Sequence, residues 1–371
     1  MSKTKKIAFY IGSLSRGGAE RVIVNLAEYF YKQGYEVYVV TKMKEKKEYP
    51  LSNNITRIIA DITEDEITSN RVKNLYLRIN KLRNIWKEIT PDYIVSFIGK
   101  NNFMAIASSR GLGIPVTVSV RSAPEREYSG KVNRLLVSVL FRMTEGIVLQ
   151  TKQAKDYFPS AIQKKAMVLP NPINYNFLKP FYEGERRKDI VWVGRIDENK
   201  NPYMLLNAFK HLYKQFPDWN VHFYGDGDSF QMLRKKCQEY GLTERVFLEG
   251  RVEQVEEKIA HASIYVLTSY VEGMPNALME AMALGLAVIS TDCPCGGPAD
   301  LIEHEKNGLL VPVGDEEALE KALYQLMSDE IYRKNLGKEA FYITKHLHPD
   351  VVNKKWITYI EKTKVKKERK S

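Results

Sequence analysis

Short apolar runs alternate with stretches of helical periodicity along the whole 371-residue chain, and that alternation predicts parallel sheets covered by helices. In the first half the runs are "KIAFYIG", "YEVYVVT", "ITRIIA", "YIVSF", "PVTVSV" and "GIVLQ". The second half repeats the arrangement with "DIVWVGR", "NVHFYG", "RVFLEG", "SIYVLTS", "LAVIST" and "GLLVPV". The fold class is therefore α/β, with two Rossmann-like doubly wound domains in succession. Between the two series, "VLPNPINYNFLKP" at 168–180 breaks every period with Pro and Asn. The expected division is a first domain over 1–172 and a second over 173–349, with a terminal helix over 350–371 packing back on the first. In open α/β sheets ligands bind beyond the carboxyl ends of the strands, so the two domains are expected to face each other across a cleft that holds the site.

Composition narrows the class. Hydrophobic residues make up 44% and charged residues 27%, a globular balance that buries enough apolar surface to offset chain entropy. The net charge of +11 is unevenly placed: residues 1–170 hold 28 Lys and Arg against 15 Asp and Glu, 171–350 hold 20 against 28, and 351–371 hold 8 against 2. The positive first half and tail suggest an anionic partner, nucleic acid or an anionic membrane surface. The lysine-rich end "KTKVKKERKS" reads most simply as a solvated terminus. Cys237, Cys293 and Cys295 have no zinc-ligand spacing and read as reduced structural thiols. No run approaches the roughly 18 to 20 apolar residues that span a bilayer, and the opening "MSKTKKIAFYIG" reads as a buried strand rather than a signal peptide. The expectation is a cytoplasmic protein that meets a membrane from outside, if at all.

Three strand ends carry candidate chemistry. After the first strand, "GSLSRGGAERVIVNLAEYF" opens a helix at Gly17 and Gly18, where bare amides and a positive helix end suit a phosphate; from these residues alone an ordinary strand-to-helix turn is the preferred reading. Its glycines lack the spacing of a dinucleotide fingerprint. In "GRIDENKNP", Arg195 follows the strand directly and Lys200 precedes a helix that starts at Pro202, so both cations can address one diphosphate, or simply be solvated. In "YVEGMPNALMEAMALG", Glu272 lies on a loop, free to point into the cleft, and Glu280 one turn inside a helix that begins at Pro275 and Asn276. Two carboxylates then flank the amides around Gly273, an arrangement that fits a nucleoside diphosphate sugar: phosphates in the middle, hydroxyl-bearing rings at both ends.

The combination of "RGGAERVIVNLA", "GRIDENK", Glu272 and Glu280 in an E-x7-E spacing, and "NGLLVPVGD" resembles glycosyltransferase family 4, retaining enzymes of the GT-B fold, over nearly the whole chain. Its versions of "GRIDENKNP" and "EGMPNALMEAM" are similar to those of bacterial enzymes that build lipid-linked oligosaccharides, exopolysaccharides and capsules. The resemblance implies that Arg195 and Lys200 hold the donor diphosphate, Glu272 the sugar hydroxyls and Glu280 the ribose. It further implies that Gly17 and Gly18 close over the diphosphate and that Gly273, Met274, Pro275 and Asn276 supply amides to the donor. No cofactor and no divalent metal are implied; "DGD" at 226–228 reads as a turn. The donor is a UDP-sugar by resemblance, its sugar open among glucose, galactose, their N-acetylamino forms and uronic acids. Many members carry a His after the fifth strand; here "VTVSVRSAPEREY" has Arg121, which cannot act as a base and is assigned to a donor or acceptor phosphate.

For the acceptor side, "KVNRLLVSVLFRM" at 131–143 places Lys131, Arg134, Ser138 and Arg142 on one helical stripe with apolar residues on most of the rest. "RVKNLYLRINKLRNIWKEI" has an apolar stripe at Leu75, Ile79, Leu82, Trp86 and Ile89, with Lys73, Lys81 and Lys87 turned away. Basic amphipathic helices suit an anionic membrane surface, and in similar lipid-linked transferases such a helix meets the acceptor's diphosphate. Lys131, Arg134 and Arg142 are thus expected to contact a glycan acceptor carried on polyprenyl diphosphate, with the protein peripheral on the inner face of the plasma membrane. A GT-B-fold nucleotide-sugar epimerase shares the architecture but needs acid/base groups that do not assemble here. A nucleic-acid-binding protein rests on the pI of about 9.2 alone, without any recognition motif.

Overall fold

A computed structural model describes residues 4–15 and 17–368. Arg16 of the "RGG" stretch and the last residues of the lysine-rich end lie outside them. The chain divides into two compact units, Met1–Pro170 with Val352–Ser371, and Asn171–Val351.

The first unit is a seven-stranded parallel sheet in the order β3-β2-β1-β4-β5-β6-β7. Its strands are β1 (Lys6–Ile11), β2 (Glu36–Thr41), β3 (Thr56–Ile59), β4 (Tyr93–Phe97), β5 (Val116–Ser119), β6 (Gly146–Leu149) and β7 (Ala166–Val168). The apolar runs become central strands because helices on both faces exclude water from either side; every residue of β4, β5 and β6 is buried. The edge strand β7, only three residues long and half-buried, lies at the start of the Pro- and Asn-rich stretch and carries too little pattern to be read from sequence. The terminal helix Pro349–Glu368 supplies this unit with Trp356, fully buried and stacked on Phe97 at 5.8 Å between ring centroids. Tyr359 Oη accepts from the Ile147 amide at 2.9 Å, and Lys364 Nζ pairs with Asp92 at 2.8 Å.

The second unit has six parallel strands in the order β10-β9-β8-β11-β12-β13: β8 (Arg187–Val193), β9 (Asn220–Tyr224), β10 (Val246–Gly250), β11 (Ala262–Leu267), β12 (Ala287–Thr291) and β13 (Leu309–Val311). Trp192, Phe209, Phe223, Leu206 and Leu323 are among the fully buried members of its core. The order reverses between β8 and β11, so the loops leaving these two strands become neighbours. The "DGD" segment is irregular loop; just before it, Gly225 has φ +144°, and a Cβ there would lie 1.8 Å from the Gly194 carbonyl oxygen. Only glycine lets the β9 end press against the chain that follows β8.

Two features yield expectations. Trp356→Ala is expected to destabilise the first unit by about 3–5 kcal/mol, the usual loss for a buried aromatic; urea unfolding that leaves the midpoint unchanged would contradict the packing. On β9, His222 is gripped by Glu249 at 2.7 Å and Asp189 at 3.4 Å. Burial works against its imidazolium, but these two carboxylates outweigh it and raise its pKa. Stability from a raised histidine is present below its unfolded pKa of about 6.5 and is lost as pH climbs through the folded value. Thermal denaturation should therefore show the gap between wild type and His222→Gln shrinking from pH 6 to pH 8.5; a constant gap contradicts the grip.

Candidate active site

The loop after β8 and the loop after β11 are laced together by hydrogen bonds to each other's backbones. The Tyr270 amide donates to the Asn199 carbonyl at 2.8 Å, Asn199 Nδ2 donates to the Val271 carbonyl at 3.0 Å, and Thr268 Oγ1 donates to the Lys200 carbonyl at 2.9 Å. Trp192 Nε1 holds Thr268 from the core side at 3.1 Å. On this frame Lys200 Nζ pairs with Glu272 Oε1, which also accepts from Ser269 Oγ at 2.6 Å. Glu272 is therefore not free on its loop, as the sequence reading has it. Its side chain is 12% exposed, that of Lys200 25%, and the carboxylate is pinned by a cation and a hydroxyl.

Arg195 is leashed in a similar way. Its Nε donates to Asp197 Oδ2 at 2.6 Å, while Asp197 Oδ1 accepts from the Lys200 amide at 2.9 Å. Asp197 thus holds the Arg195 guanidinium and the Lys200 backbone, while Glu272 holds the Lys200 ammonium. The Arg195 side chain remains 77% exposed, available to an incoming anion. Helix Pro202–Leu212 starts at Pro202 in its first position, with Asn201 as N-cap, so Lys200 sits just ahead of the helix.

Beyond Glu272, Gly273 and buried Met274 lead to helix Asn276–Ala283, with Pro275 at its N-cap. Asn276 Oδ1 accepts from Asn171 Nδ2 at 2.8 Å. Glu280 lies one turn into the helix and is buried. Burial pushes the Tyr265 phenol well above its usual range, and the charges of Glu272 and Glu280 add to the effect. The Glu272 loop is also clamped to the loop after β12: its amide donates to the Pro294 carbonyl at 2.7 Å and its carbonyl accepts from the Cys295 amide at 2.8 Å. Next to this clamp, a Cβ on Gly297 would lie 1.7 Å from the Gly273 carbonyl oxygen, so glycine is required for the two loops to touch.

In the first unit, Gly17 is the N-cap and Gly18 the first residue of helix Gly18–Lys32. This helix end is not bare: a Cβ on Gly17 would meet a carboxylate oxygen of Glu20 at 2.2 Å, and burial raises the Glu20 pKa. Arg121, just past β5, is buried with its guanidinium 5.2 Å from the Phe97 ring centroid. Burial lowers its pKa to about 9, opposed by the charge of Glu127. Glu127 accepts from the amides of Gly99, Arg121 and Ser122 at 2.6 to 3.2 Å, tying the ends of β4 and β5 together. Ile98, inside that tie, has φ 69°, an unusual value for a β-branched residue.

Helix Lys131–Leu140 differs from a packed helix with a basic outer stripe. Lys131, Arg134 and, just after it, Arg142 are exposed, but Val132 (72% exposed), Leu135 (64%), Leu136, Val139 and Met143 are exposed too, while Val137 and Phe141 are buried. Three stripes run along it: packed, apolar and basic. Helix Arg71–Ile89 buries Leu82, Ile85, Trp86 and Ile89, but Leu75, expected on its packed stripe, is half exposed beside Val72 and Tyr76.

The structure thus brings Arg195, Lys200, Glu272 and the Gly273–Asn276 segment onto one edge of the second unit. Gly17, Gly18, Arg121, Lys131, Arg134 and Arg142 belong to the first. Sequence reasoning missed Asp197, Ser269, Glu127 and the clamp at 294–297. Asp197 stood within "GRIDENK" between the two cations, beside Glu198; nothing in the sequence marks Ser269 or Glu127 as partners of the site.

Residues 16–177 match the family described as Glycosyltransferase Family 4, and residues 177–341 that described as Glycosyl transferases group 1. Over 362 residues the chain is 30% identical to a Campylobacter jejuni alpha-1,4-N-acetyl-D-galactosaminyltransferase whose name specifies GalNAc-alpha-(1->4)-GalNAc-alpha-(1->3)-diNAcBac-PP-undecaprenol, covering 97% of this chain and 99% of that protein. A second C. jejuni enzyme, N-acetylgalactosamine-N,N'-diacetylbacillosaminyl-diphospho-undecaprenol 4-alpha-N-acetylgalactosaminyltransferase, is 26% identical over 348 residues, 91% of this chain and 94% of that one. The fold is similar to that of HepE from Anabaena in complex with UDP, a GT-B glycosyltransferase, with a TM-score of 0.80 at 18% identity over 96% of this chain and 100% of that one.

Removing one partner of the Lys200 and Glu272 pair strands a partly buried charge, whereas removing both does not. Lys200→Met is therefore expected to destabilise the fold more than the double variant Lys200→Met/Glu272→Gln does, with a coupling of about 0.5–3 kcal/mol in denaturant unfolding. Strict additivity would contradict the pairing.

Proposed function

The chain belongs to glycosyltransferase family 4, and from that premise we propose that it is a retaining, metal-independent hexosyltransferase. It moves a hexose or N-acetylhexosamine from a UDP-sugar to a glycan acceptor, carried on polyprenyl diphosphate, in cell-surface polysaccharide or glycan biosynthesis. The observation that carries this reading is the pair of cations on the loop after β8, Arg195 held by Asp197 and Lys200 held by Glu272 from the loop after β11. Breaking a bond between a sugar and a phosphate develops negative charge on the departing diphosphate. Arg195 forks across two of its oxygens and Lys200 places a point charge beside them. Both are positioned before the reaction, so little reorganisation accompanies the step.

When the diphosphate takes over Lys200, the Glu272 carboxylate becomes available to accept from donor sugar hydroxyls. Glu280 serves the ribose, and the Gly273–Asn276 segment lends amides at a helix start. Gly17 and Gly18 are assigned to the diphosphate and Arg121 to a donor or acceptor phosphate. In this reading the two cations supply the charge stabilisation that a divalent ion supplies elsewhere. The UDP of the HepE complex and the undecaprenol diphosphate in the names of the two C. jejuni relatives support the substrate classes.

Among the described residues no helix is long and apolar enough to cross a membrane. The exposed apolar stripe of helix Lys131–Leu140, flanked by Lys131, Arg134 and Arg142, supports a peripheral seat on the anionic inner face of the plasma membrane. Each cation near such a surface contributes about 1 kcal/mol.

Lys200→Ala and Glu272→Ala are each expected to lower transfer from UDP-sugars by about 10²–10³-fold with an unchanged circular dichroism spectrum. EDTA should leave wild-type turnover unaffected, and the product should keep the donor's anomeric configuration by NMR. Full activity in either variant refutes the site. In vesicle flotation, wild type should rise with liposomes containing phosphatidylglycerol, and Leu135→Ser/Val139→Ser should stay at the bottom. Equal flotation of both excludes this helix as the membrane seat.

A further inference from the structure

Beside the Lys200 and Glu272 group, the second unit has an open pocket of about 660 Å³ lined by Tyr270, Asp292, Pro294, Leu310, Pro312 and Val313 with the end of β13. Three neighbouring strands build it. Tyr270 follows β11, Asp292 and Pro294 follow β12, and Pro312 and Val313 follow β13. Its β12 and β13 walls lie on the far side of β11 from β8. Its size falls within the roughly 300–1,000 Å³ of small-molecule sites.

The pocket's frame is held by its backbone. The Tyr270 amide is bonded to Asn199, the Asp292 amide donates to the Val311 carbonyl at 2.8 Å, and the Pro294 carbonyl accepts from Glu272. The functional groups, by contrast, are unspent. Tyr270 is 43% exposed, and among the described residues neither its hydroxyl nor the Asp292 carboxylate takes part in a hydrogen bond or ion pair. A Cβ on Gly314 would stand 4.0 Å from Tyr270 Cε1, so the turn after β13 passes the ring at a residue with no side chain.

The chemistry selects a ligand. No Lys or Arg lines the pocket, which argues against a phosphate. An exposed aromatic face beside proline and valine matches a body with an apolar surface, and an ionised carboxylate accepts hydrogen bonds only, so the ligand must bring donors. A pyranose ring joins both properties, with a face of C–H groups and a rim of hydroxyls. We propose that this pocket is a subsite for an uncharged pyranose ring of the acceptor glycan, next to the donor group but separate from it. The ring stacks on Tyr270 while Asp292 accepts from two of its hydroxyls. That the ring belongs to an acceptor rests on the transferase reading above; that the pocket binds a pyranose does not.

Saturation-transfer NMR on the full chain tests this with methyl glycosides of glucose, galactose, GlcNAc and GalNAc as probes. At least one is expected to receive saturation from wild type and to keep it when UDP is present at saturation. Tyr270→Ala should weaken that binding roughly tenfold, the scale of losing one stacked ring and its area. Tyr270→Phe should retain most of it, and Asp292→Asn should weaken it while melting at the wild-type temperature. Transfer to none of the probes, equal transfer in Tyr270→Ala, or abolition of the signal by UDP would each overturn the subsite. UDP calorimetry run in parallel separates the two readings: a chain that binds the glycoside but not UDP keeps the subsite and loses the transferase donor site, and the reverse result does the opposite.

Discussion

The ion pair between Lys200 and Glu272 is the constraint around which the second unit's working edge is arranged. It joins a loop leaving β8 to a loop leaving β11, neighbours only because strand order reverses between them. A partly buried pair gives up hydration that its mutual attraction must repay, and the surrounding bonds fix the geometry that lets it do so. Ser269 holds the carboxylate, Asp197 holds the Lys200 amide and the Arg195 guanidinium, and Asn199 stitches the two loops. A nucleotide's diphosphate carries more negative charge than either carboxylate and offers matching oxygens to both cations. Under the proposed function the resting pairs act as placeholders, keeping two long flexible side chains near the positions a diphosphate would require.

Much of this fold was legible before any coordinates. Parallel strands buried on both faces leave apolar runs that need no alternation to be seen, and twelve such runs correspond to β1–β6 and β8–β13. The three-residue edge strand β7 escaped because it has neither length nor burial. At the working edge, residue type revealed where charge concentrates, not which charges pair. The sequence reading left Glu272 unattached and the end of helix Gly18–Lys32 bare, whereas Lys200 and Ser269 occupy the one and Glu20 folds over the other. Such pairings depend on which loops the topology makes adjacent, and a linear pattern does not carry that. Gly297 is a similar case: its need for a missing side chain is set by the Gly273 carbonyl, 24 positions earlier.

Amphipathic periodicity misled in an instructive way. In helix Arg71–Ile89 the stripe from Leu82 onward packs, but Leu75 is half exposed. Helix Lys131–Leu140 goes further and turns most of its apolar side chains outward while Val137 alone is buried. Periodicity reports that a helix has an apolar face; it does not report whether that face meets a core. The positive balance of residues 1–170 and these outward apolar stripes lie in the same unit, a combination suited to an anionic lipid surface.

The exchange of partners at the β8 and β11 loops is tested most directly by a crystal structure of the chain with UDP. The expected result places Lys200 Nζ and the Arg195 guanidinium about 2.7–3.2 Å from diphosphate oxygens, released from Glu272 and Asp197. UDP bound elsewhere, or bound here with both ion pairs still closed, would contradict it.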